Sequence, residues 1–395
     1  MYFDSKNPTE CSGCTACLNA CPKGAILMCE DKEGFLYPSI NEDSCIHCNI
    51  CRKICSWENP VNNADSTPSV FASVLKDKEE RKNSTSGGVF FSISRWVIEN
   101  GGIVFGAAFE DNFKLVHYGA QTIEELQRLR GSKYLQSDLG LVFQDVKHYL
   151  ESGRLCYFTG TGCQVAGLKA YLKKDYDSLI TSDLICHGTP SQKCFSEHIS
   201  FMENKYHDKI IGYQFRDLKS GKGGETCFFQ KRKPVINPTY ELSPYLYSFM
   251  YGFTFRVSCY DCRFATIPRQ GDITLGDFWG AEKFAPEIDR SNGVSLLLIN
   301  NEKGKRVWEC VKDEFSFVET KVENAVKYNE NIIHPMNKPQ IRDLIYKEID
   351  DKGYSYVSKK YFRSPVYWKT KFFLFIGKTP FMKLYMRLRK VNVLC

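Results

Sequence analysis

The hydrophobic pattern predicts an α/β region between about residues 69 and 301. Residues 70–74 and 103–109 are short apolar runs typical of buried strands, and residues 89–100 between them have helical periodicity. That helix is expected to end at Gly101-Gly102, because glycine adopts the left-handed conformation that closes a helix. The alternation continues, with further strands predicted at 155–158, 180–186, 273–275 and 294–299, and a helix at 164–174.

The two ends of the chain follow other patterns. Residues 1–58 are rich in cysteine, and residues 59–68 are a polar stretch that contains Pro60 and Pro68 and is typical of a linker. Residues 303–352 are mostly helical in pattern. Residues 353–395 form a basic, aromatic tail. We therefore expect a separate N-terminal domain, an α/β body and a C-terminal extension.

Cysteine content changes this picture most. The chain has 18 cysteines, nine of them within the first 55 residues, which indicates either disulfides or a metal site. The N-terminus shows no basic segment followed by an apolar one, and no uncharged run exceeds about 14 residues, whereas a spanning helix needs roughly 18. We therefore expect a cytoplasmic protein, where thiols stay reduced and clustered cysteines bind metal.

Eight of these cysteines form two runs of identical spacing. The runs are Cys11-x2-Cys14-x2-Cys17-x3-Cys21, followed by Pro22, and Cys45-x2-Cys48-x2-Cys51-x3-Cys55, followed by Ser56. This spacing is typical of bacterial ferredoxins with two [4Fe–4S] clusters, in which the fourth cysteine of each run binds the other cluster. It assigns one cluster to Cys11, Cys14, Cys17 and Cys55, and the other to Cys45, Cys48, Cys51 and Cys21. A pair of structural zinc sites is the alternative, since zinc sites also use C-x2-C spacing.

Four cysteines of the body stand beside predicted turns and strand ends. Cys163 opens a predicted helix, Cys186 ends a predicted strand, and Cys259 and Cys262 form a C-x2-C pair. Their spacing alone favours buried structural thiols over a third metal site, because scattered cysteines usually pack as small hydrophobes.

Six short motifs resemble the beta subunit family of coenzyme F420-reducing hydrogenases and dehydrogenases, which are iron–sulfur flavoproteins. In the family's order they are Ser84-Thr85-Ser86-Gly87-Gly88, Gly131-Ser132-Lys133-Tyr134, Gly162-Cys163-Gln164, Cys186, the Cys259/Cys262 pair and Gly271-Asp272-Ile273-Thr274-Leu275-Gly276-Asp277. The resemblance implies that residues 69–155 and 156–352 correspond to the N- and C-terminal regions of that family. It also implies that Cys163, Cys186, Cys259 and Cys262 bind a third [4Fe–4S] cluster beside an FAD, with zinc or no metal as the alternative.

The FAD is expected beside three of these motifs. Ser84–Gly88 precedes a predicted helix, where glycine and free N–H groups favour a phosphate, although serine and threonine also serve there as ordinary helix caps. Beside Ser132, Lys133 is a candidate cation for the pyrophosphate or the flavin ring, or else a solvated lysine. Asp277 follows a predicted strand and precedes two aromatic residues, which suit either a ring or the core.

The positive charge lies in the tail. The chain carries a net charge of +7, but from Lys359 onward there are ten Lys or Arg and no acidic residue, which leaves −3 for the first 358 residues. Basic residues interleaved with aromatic ones favour peripheral contact with an anionic membrane on the cytoplasmic face, or docking to an acidic redox protein. The alternative is a solvated helical hairpin packed by its aromatic side chains. No motif supports nucleic-acid binding.

Together these patterns predict an α+β protein with an N-terminal two-cluster ferredoxin-like domain, a mixed α/β flavoprotein body and a helical basic tail. The first functional hypothesis is an oxidoreductase that relays electrons between the ferredoxin-type clusters and an FAD, which exchanges hydride with an organic substrate or deazaflavin. The alternative is a non-enzymatic electron-transfer subunit that feeds a separate catalytic protein, a role that the resemblance connects with surface-polysaccharide metabolism. Both need another redox protein or enzyme subunit as partner, and no residue identifies a catalytic group.

Overall fold

A computed structural model describes residues 1–59, 67–217 and 224–377 of the chain. Most of the predicted linker at 59–68 and the end of the predicted tail lie outside these residues. The chain forms two compact units, each built from two segments. Unit 1 comprises Met1–Cys194 and Phe255–Asn337, and unit 2 comprises Phe195–Thr254 and the chain from Lys338 onward.

The described elements are numbered in chain order. The helices are α1 (Tyr2–Ser5), α2 (Ala16–Ala20), α3 (Ile50–Lys53), α4 (Lys78–Lys82), α5 (Val89–Glu99), α6 (Ile123–Leu129), α7 (Val142–Glu151), α8 (Gly162–Leu172), α9 (Gln192–Tyr206), α10 (Pro244–Met250), α11 (Ala281–Phe284), α12 (Glu302–Val311), α13 (Val322–Val326), α14 (Arg342–Lys352), α15 (Tyr354–Lys360) and α16 (Tyr367–Gly377). The strands are β1 (Ile26–Glu30), β2 (Leu36–Ile40), β3 (Ser69–Leu75), β4 (Ile103–Phe109), β5 (Leu115–Ala120), β6 (Cys156–Thr161), β7 (Leu179–Leu184), β8 (Ile210–Asp217), β9 (Gly224–Phe229), β10 (Val235–Asn237), β11 (Ile273–Asp277), β12 (Ser295–Ile299) and β13 (Phe315–Thr320).

Unit 1 is organised around an eight-stranded mixed sheet of order β13-β3-β12-β11-β7-β6-β4-β5. The pairings give β3, β11, β7, β6 and β4 one common direction, with the other three strands reversed. Strands such as β4 are almost continuously apolar, because helices cover both faces of the sheet. The carboxyl ends of five strands therefore meet at one edge, and this edge is the part of the fold that positions the candidate site.

The cysteine-rich block packs into unit 1 as part of its core. Its β1 and β2 form an antiparallel hairpin, with Ile26 opposite Ile40. Ala16 and Ile54 of the block lie in one hydrophobic cluster with Phe143 of α7 and Leu168 of α8. Burial of this apolar surface fixes the block on the α/β body.

Unit 2 contains a three-stranded antiparallel sheet of order β10-β9-β8 with α10, α14, α15 and α16. A buried polar network lies inside it: the Asn237 side chain donates to Glu225 at 2.8 Å, and the hydroxyls of Tyr213 and Ser243 donate to the same carboxylate. These bonds satisfy a carboxylate that is fully buried. The network is therefore a structural feature of this unit.

The predicted fold class is confirmed, with a ferredoxin-like region, a mixed α/β body and a helical C-terminal region. The strand prediction at 103–109 matches β4, and the predicted helix at 89–100 corresponds to α5. The helical interpretation of residues 303–352 is wrong at β13, an edge strand in which Phe315 is buried and the other residues are half-buried or exposed. Its pairing with β3 supplies the hydrogen bonds that local sequence does not reveal.

No helix within the described residues has both the length and the apolar character needed to cross a membrane.

A substitution at Gly87 tests how closely the loop between α4 and α5 approaches the sheet. A Cβ atom on Gly87 would lie 2.1 Å from the Ser73 carbonyl oxygen and 2.6 Å from the Ser295 nitrogen, both backbone atoms. We expect Gly87→Ala to lower the free energy of unfolding by more than about 3 kcal/mol in urea titrations, because backbone atoms cannot rotate away. Gly153→Ala is the control: its φ is +80° but nothing lies within 4 Å, so about 1–2 kcal/mol is expected. Equal losses would contradict this packing.

Candidate metal centres and cofactor site

The two cysteine loops of the N-terminal block repeat one backbone conformation. Gly13 and His47, two residues after the first cysteine of each run, both have positive φ, at 71° and 51°. Thr15 and Asn49, two residues further on, both have φ of 59°. Left-handed residues at matched positions point successive backbone N–H groups toward the inside of the loop. Such a concave surface favours the binding of an anionic group. The repeat that the sequence shows in spacing is therefore also a repeat in backbone shape.

Backbone N–H groups in both loops point at cysteine sulfur. The Gly13 nitrogen donates to Cys11 Sγ at 3.4 Å, and the His47 nitrogen donates to Cys45 Sγ at the same distance. Hydrogen bonds to sulfur stabilise the thiolate form that binds iron. Each loop thus supports its first cysteine in the same way.

The structure brings each predicted set of four cysteines together, including the exchanged fourth residue. Cys11, Cys14 and Cys55 all lie close enough to Cys17 to raise the pKa of its thiol, which burial already raises well above its usual value. The other set lines a cavity of about 130 Å³ and consists of Cys21, Cys45, Cys48 and Cys51. Iron binding by these eight residues stays a prediction at the level of individual ligands.

Burial distinguishes the two loops. In the first loop, Ser12, Gly13, Thr15 and Ala16 are buried. In the second loop every residue from 41 to 49 except Cys45 is exposed, and the Ile46 side chain is 56% exposed. The first predicted cluster site therefore faces the protein interior, whereas the second faces solvent.

The four body cysteines line a second cavity, of about 60 Å³, within unit 1. Cys163 is on the first turn of α8, Cys186 follows β7, and Cys259 and Cys262 belong to a short 3-10 turn after residue 256. Burial raises the pKa of Cys186 to about 12 and that of Cys262 to about 11, and it raises the pKa of Cys163, to which the other three thiols add. Four half-buried thiols that line one cavity are a donor set that suits a cubane metal centre.

Hydroxyl groups adjoin two of these four sulfurs. Thr161 Oγ1 lies 3.1 Å from Cys163 Sγ, and Thr189 Oγ1 lies 3.8 Å from Cys259 Sγ. Hydrogen bonds from such groups tune a metal–thiolate centre when they donate to sulfur. Sequence reasoning missed both threonines, although each lies within three residues of a predicted ligand.

The first cysteine loop, which carries Cys14, packs directly against the helix that carries Cys163. Gly167 lies one helical turn after Cys163 on α8, and a Cβ atom there would be 2.9 Å from Cys14 Cβ and 3.0 Å from its sulfur. The Ser258 hydroxyl, next to Cys259, donates to the Cys11 carbonyl oxygen at 2.9 Å. Only glycine at position 167 allows the helix with Cys163 to approach the loop with Cys14 this closely.

An aromatic pair fills the space between the same two sets of cysteines. Trp57 and Phe264 have ring centroids 5.9 Å apart and form a buried cluster with Ala166. Packed against this cluster are one cysteine of the first set and two of the body set, namely Cys55, Cys163 and Cys262. The packing of these two rings between the sites is therefore apolar.

Arg256 provides a test of whether the cysteine loop fits an anionic cluster. Its side chain is 1% exposed and donates to the carbonyl oxygens of Cys11 and Leu36 at 2.8 and 3.0 Å, and to Gln136 at 3.2 Å. No carboxylate among the described residues pairs with it. A buried cation without a countercharge is costly, so an anionic group beside Cys11 supplies what the protein lacks. The site therefore fits a cluster with thiolate ligands.

The predicted FAD segments lie together at the carboxyl edge of the sheet. Ser84–Gly88 connects α4 to α5, and Asp277 ends β11 opposite Ser295 of β12. Thr85 Oγ1 lies 2.9 Å from Ser132 Oγ, and Ser295 Oγ donates to Ser86 Oγ at 3.3 Å. Cofactors of open α/β sheets bind beyond the carboxyl ends of the strands, and Cys163 and Cys186 follow strands at this same edge.

Ser84 and Lys133 of the predicted FAD site also have several partners each within the protein. The Ser84 hydroxyl donates to the Glu80 carbonyl oxygen and accepts from Arg130. Lys133 Nζ donates to the carbonyl oxygens of Arg128, Leu129 and Arg130 at 2.8–3.1 Å, which caps the end of α6, and burial lowers its pKa to about 7. A role of either residue toward a flavin stays a prediction.

The comparisons with known proteins bear on both halves of this site. Residues 10–59 match the family described as 4Fe-4S dicluster domain, and residues 153–324 match the family described as the C terminus of the coenzyme F420 hydrogenase/dehydrogenase beta subunit. The chain therefore joins a segment similar to 4Fe-4S dicluster domains to a segment similar to the C-terminal domain of the F420 hydrogenase/dehydrogenase beta subunit. The two matches together indicate an iron–sulfur electron-transfer protein.

More distant comparisons add little to this assignment. A solved chain of the F420-reducing [NiFe] hydrogenase complex from Methanosarcina barkeri is 19% identical, with 76% of this chain and 93% of that chain covered at a TM-score of 0.45. None of the curated proteins matches.

Arg256 yields a prediction for the dicluster domain. Arg256→Met removes a buried positive charge beside Cys11, so reduction of the nearby cluster should become harder, by on the order of 50–100 mV. Arg256→Lys keeps the charge and should stay closer to wild type. Potentials are measured by anaerobic redox titration followed by EPR, with Arg154→Met at a surface site as control. An unchanged potential in Arg256→Met would show that the charge does not face a cluster.

Proposed function

We propose that this protein relays electrons between two ferredoxin-type [4Fe–4S] clusters, a third [4Fe–4S] cluster and an FAD that exchanges hydride with an organic substrate or deazaflavin. The third cluster is assigned to Cys163, Cys186, Cys259 and Cys262. The observation that carries the proposal is the contact of Gly167 with Cys14, because it joins the helix of Cys163 to the first cysteine loop. A relay needs its centres close together, and this contact supplies that closeness.

The protein's own residues support rapid and protected transfer along this line. Trp57 and Phe264 pack between the two sets of cysteines, so part of the space between them is filled by aromatic rings. The Ser258 and Arg256 side chains both donate to the Cys11 carbonyl oxygen, which holds the first loop against the turn of Cys259. These contacts fix the separation of the two sites.

The difference in burial indicates which cluster site exchanges electrons with an external partner. The second loop, residues 41–49, is exposed and belongs to the predicted cluster site of Cys45, Cys48, Cys51 and Cys21. Electrons therefore exchange with an external redox protein or enzyme subunit at this loop, and the buried first site connects it to the body. The exposed Ile46 side chain gives such a partner an apolar contact.

The FAD proposal rests on the carboxyl edge of the sheet. Clusters carry single electrons and hydride chemistry needs two, so a flavin at the end of the line converts one into the other. Gly88, with φ of 96°, precedes the eleven-residue helix α5 and leaves its first N–H groups free for a phosphate. Thr85, Ser86 and Ser132 surround this helix start with hydroxyl groups.

A second candidate function is a non-enzymatic electron carrier that feeds a separate catalytic protein, including one of surface-polysaccharide metabolism. The hydrogen bonds that already occupy Ser84 and Lys133 favour it, because these side chains are not free to bind a flavin without rearrangement. The measured flavin content distinguishes the two functions.

Iron content tests the third cluster. Anaerobically purified protein should contain about twelve irons per chain, as three four-iron clusters require. Replacing both residues of the C-x2-C pair, Cys259→Ala and Cys262→Ala, should lower this to about eight. Cys310→Ala is the control, since Cys310 is exposed on α12 and belongs to no cysteine set. About eight irons in the wild-type protein would remove the third cluster from the proposal.

Flavin content tests the FAD site. We expect about one FAD per chain, bleached by dithionite and reoxidised by a soluble two-electron acceptor. The double variant Thr85→Val and Ser132→Ala should lose most of the flavin, since both hydroxyls border the start of α5, while its iron content stays unchanged. Ser152→Ala, at a distant surface helix end, should keep wild-type flavin. Full iron without flavin would contradict the oxidoreductase function and leave the carrier function.

A further inference from the structure

Helix α16 exposes large aromatic side chains. Trp368, Phe372 and Phe373 are 63%, 59% and 57% exposed, and the two phenylalanine rings adjoin each other with centroids 6.2 Å apart. Trp368 and Phe372 are four residues apart and therefore share one face of the helix. An exposed apolar patch of this kind is typical of a surface that contacts something else.

Cations lie beside these rings, and the segment itself contains no acidic residue. Lys371 Nζ lies 5.5 Å from the Trp368 ring centroid, and the Arg363 guanidinium carbon lies 5.6 Å from it. Residues 359–374 contain five Lys or Arg and no Asp or Glu, and the sequence to residue 395 adds five more cations and again no acid. The segment therefore combines apolar rings with a net positive charge, of which Lys360 is paired with Glu348.

We propose that α16 and its flanking cations form a docking surface for an anionic lipid membrane. The helix lies in the plane of the interface, with Trp368 and Phe372 in the headgroup region and the lysines on anionic lipids. Aromatic residues and cations mixed in one segment are what such an interface selects, because the rings gain from partial burial and the cations from the surface potential. Docking to an acidic protein is the other occupant that these residues could suit, and the vesicle and quenching experiments distinguish it from a membrane.

Membrane binding through α16 is independent of the electron relay. It depends on a helix of unit 2, whereas the cysteine sets and the FAD segments belong to unit 1. Failure to bind lipid would leave the expected iron and flavin contents unchanged. A missing cluster or flavin would likewise leave the expected lipid binding unchanged.

Vesicle sedimentation of the full-length, cluster-loaded protein tests the charge requirement. Vesicles of phosphatidylcholine with about 30% phosphatidylglycerol should bind the protein, and pure phosphatidylcholine vesicles should bind it far less. Each lysine near the surface contributes roughly fivefold in affinity, so Lys369→Gln with Lys371→Gln should weaken binding about 25-fold. Equal binding to both kinds of vesicle, or to neither, would overturn the proposal.

A matched pair of triple variants tests the aromatic requirement. Trp368→Ala, Phe372→Ala and Phe373→Ala together should weaken binding at least tenfold while all cations remain. The control replaces three exposed apolar residues elsewhere in unit 2, Ile211, Ile236 and Leu344, with alanine and should bind as wild type. If the aromatic variant also binds as wild type, the rings do not enter the membrane and the proposal fails.

Quenching by brominated lipid separates insertion from adsorption or from docking to an acidic protein. Lipids brominated near the headgroup should quench the Trp368 emission of bound protein, and Trp368→Phe should abolish that quenching. The four other tryptophans remain as an internal reference for the emission. Binding without quenching would show that only the charges contact the surface and would overturn the insertion of Trp368.

Discussion

The contact between Gly167 and Cys14 is the constraint on which the remaining arrangement depends. Helix α8 carries Cys163 on its first turn, and one turn later the absence of a side chain lets the first cysteine loop rest against the helix. Any larger residue at this point would separate the loop from the body by at least the width of a methyl group. The ferredoxin-like block is therefore held at a set distance from the body cysteines, as a relay requires and a loosely tethered carrier does not.

The same contact explains why two loops of equal backbone shape differ so much in environment. The first loop is covered by α8, Gln136 and Arg256, and its Gly13 leaves no space for a Cβ atom beside those side chains. The second loop has His47 at the equivalent position, in the same left-handed conformation, because nothing covers it among the described residues. An internal repeat has in this way acquired an inward-facing and an outward-facing half, which suits a path from solvent to interior.

Sequence spacing predicted two groups among the eight cysteines of the block, and the structure places the members of each group together, because ligand geometry is encoded locally in the x2 and x3 intervals. It also located β4 and α5, whose apolar runs are long and regular. Spacing was insufficient for Arg256, Gly167 and Thr189, since their roles arise from contacts across more than a hundred residues or from a neighbouring sulfur. The edge strand β13 was missed for the same reason: its partner β3 lies about 245 residues earlier in the chain.

The central claim is that the first ferredoxin-type cluster and a third cluster in the body are neighbours. The most direct measurement is spin quantification by EPR on the fully reduced, anaerobic protein. The account predicts about three unpaired electrons per chain, one for each reduced [4Fe–4S] cluster, with spectra broadened by magnetic interaction that includes the third centre. About two unpaired electrons per chain, or a third signal without any interaction broadening, would contradict it.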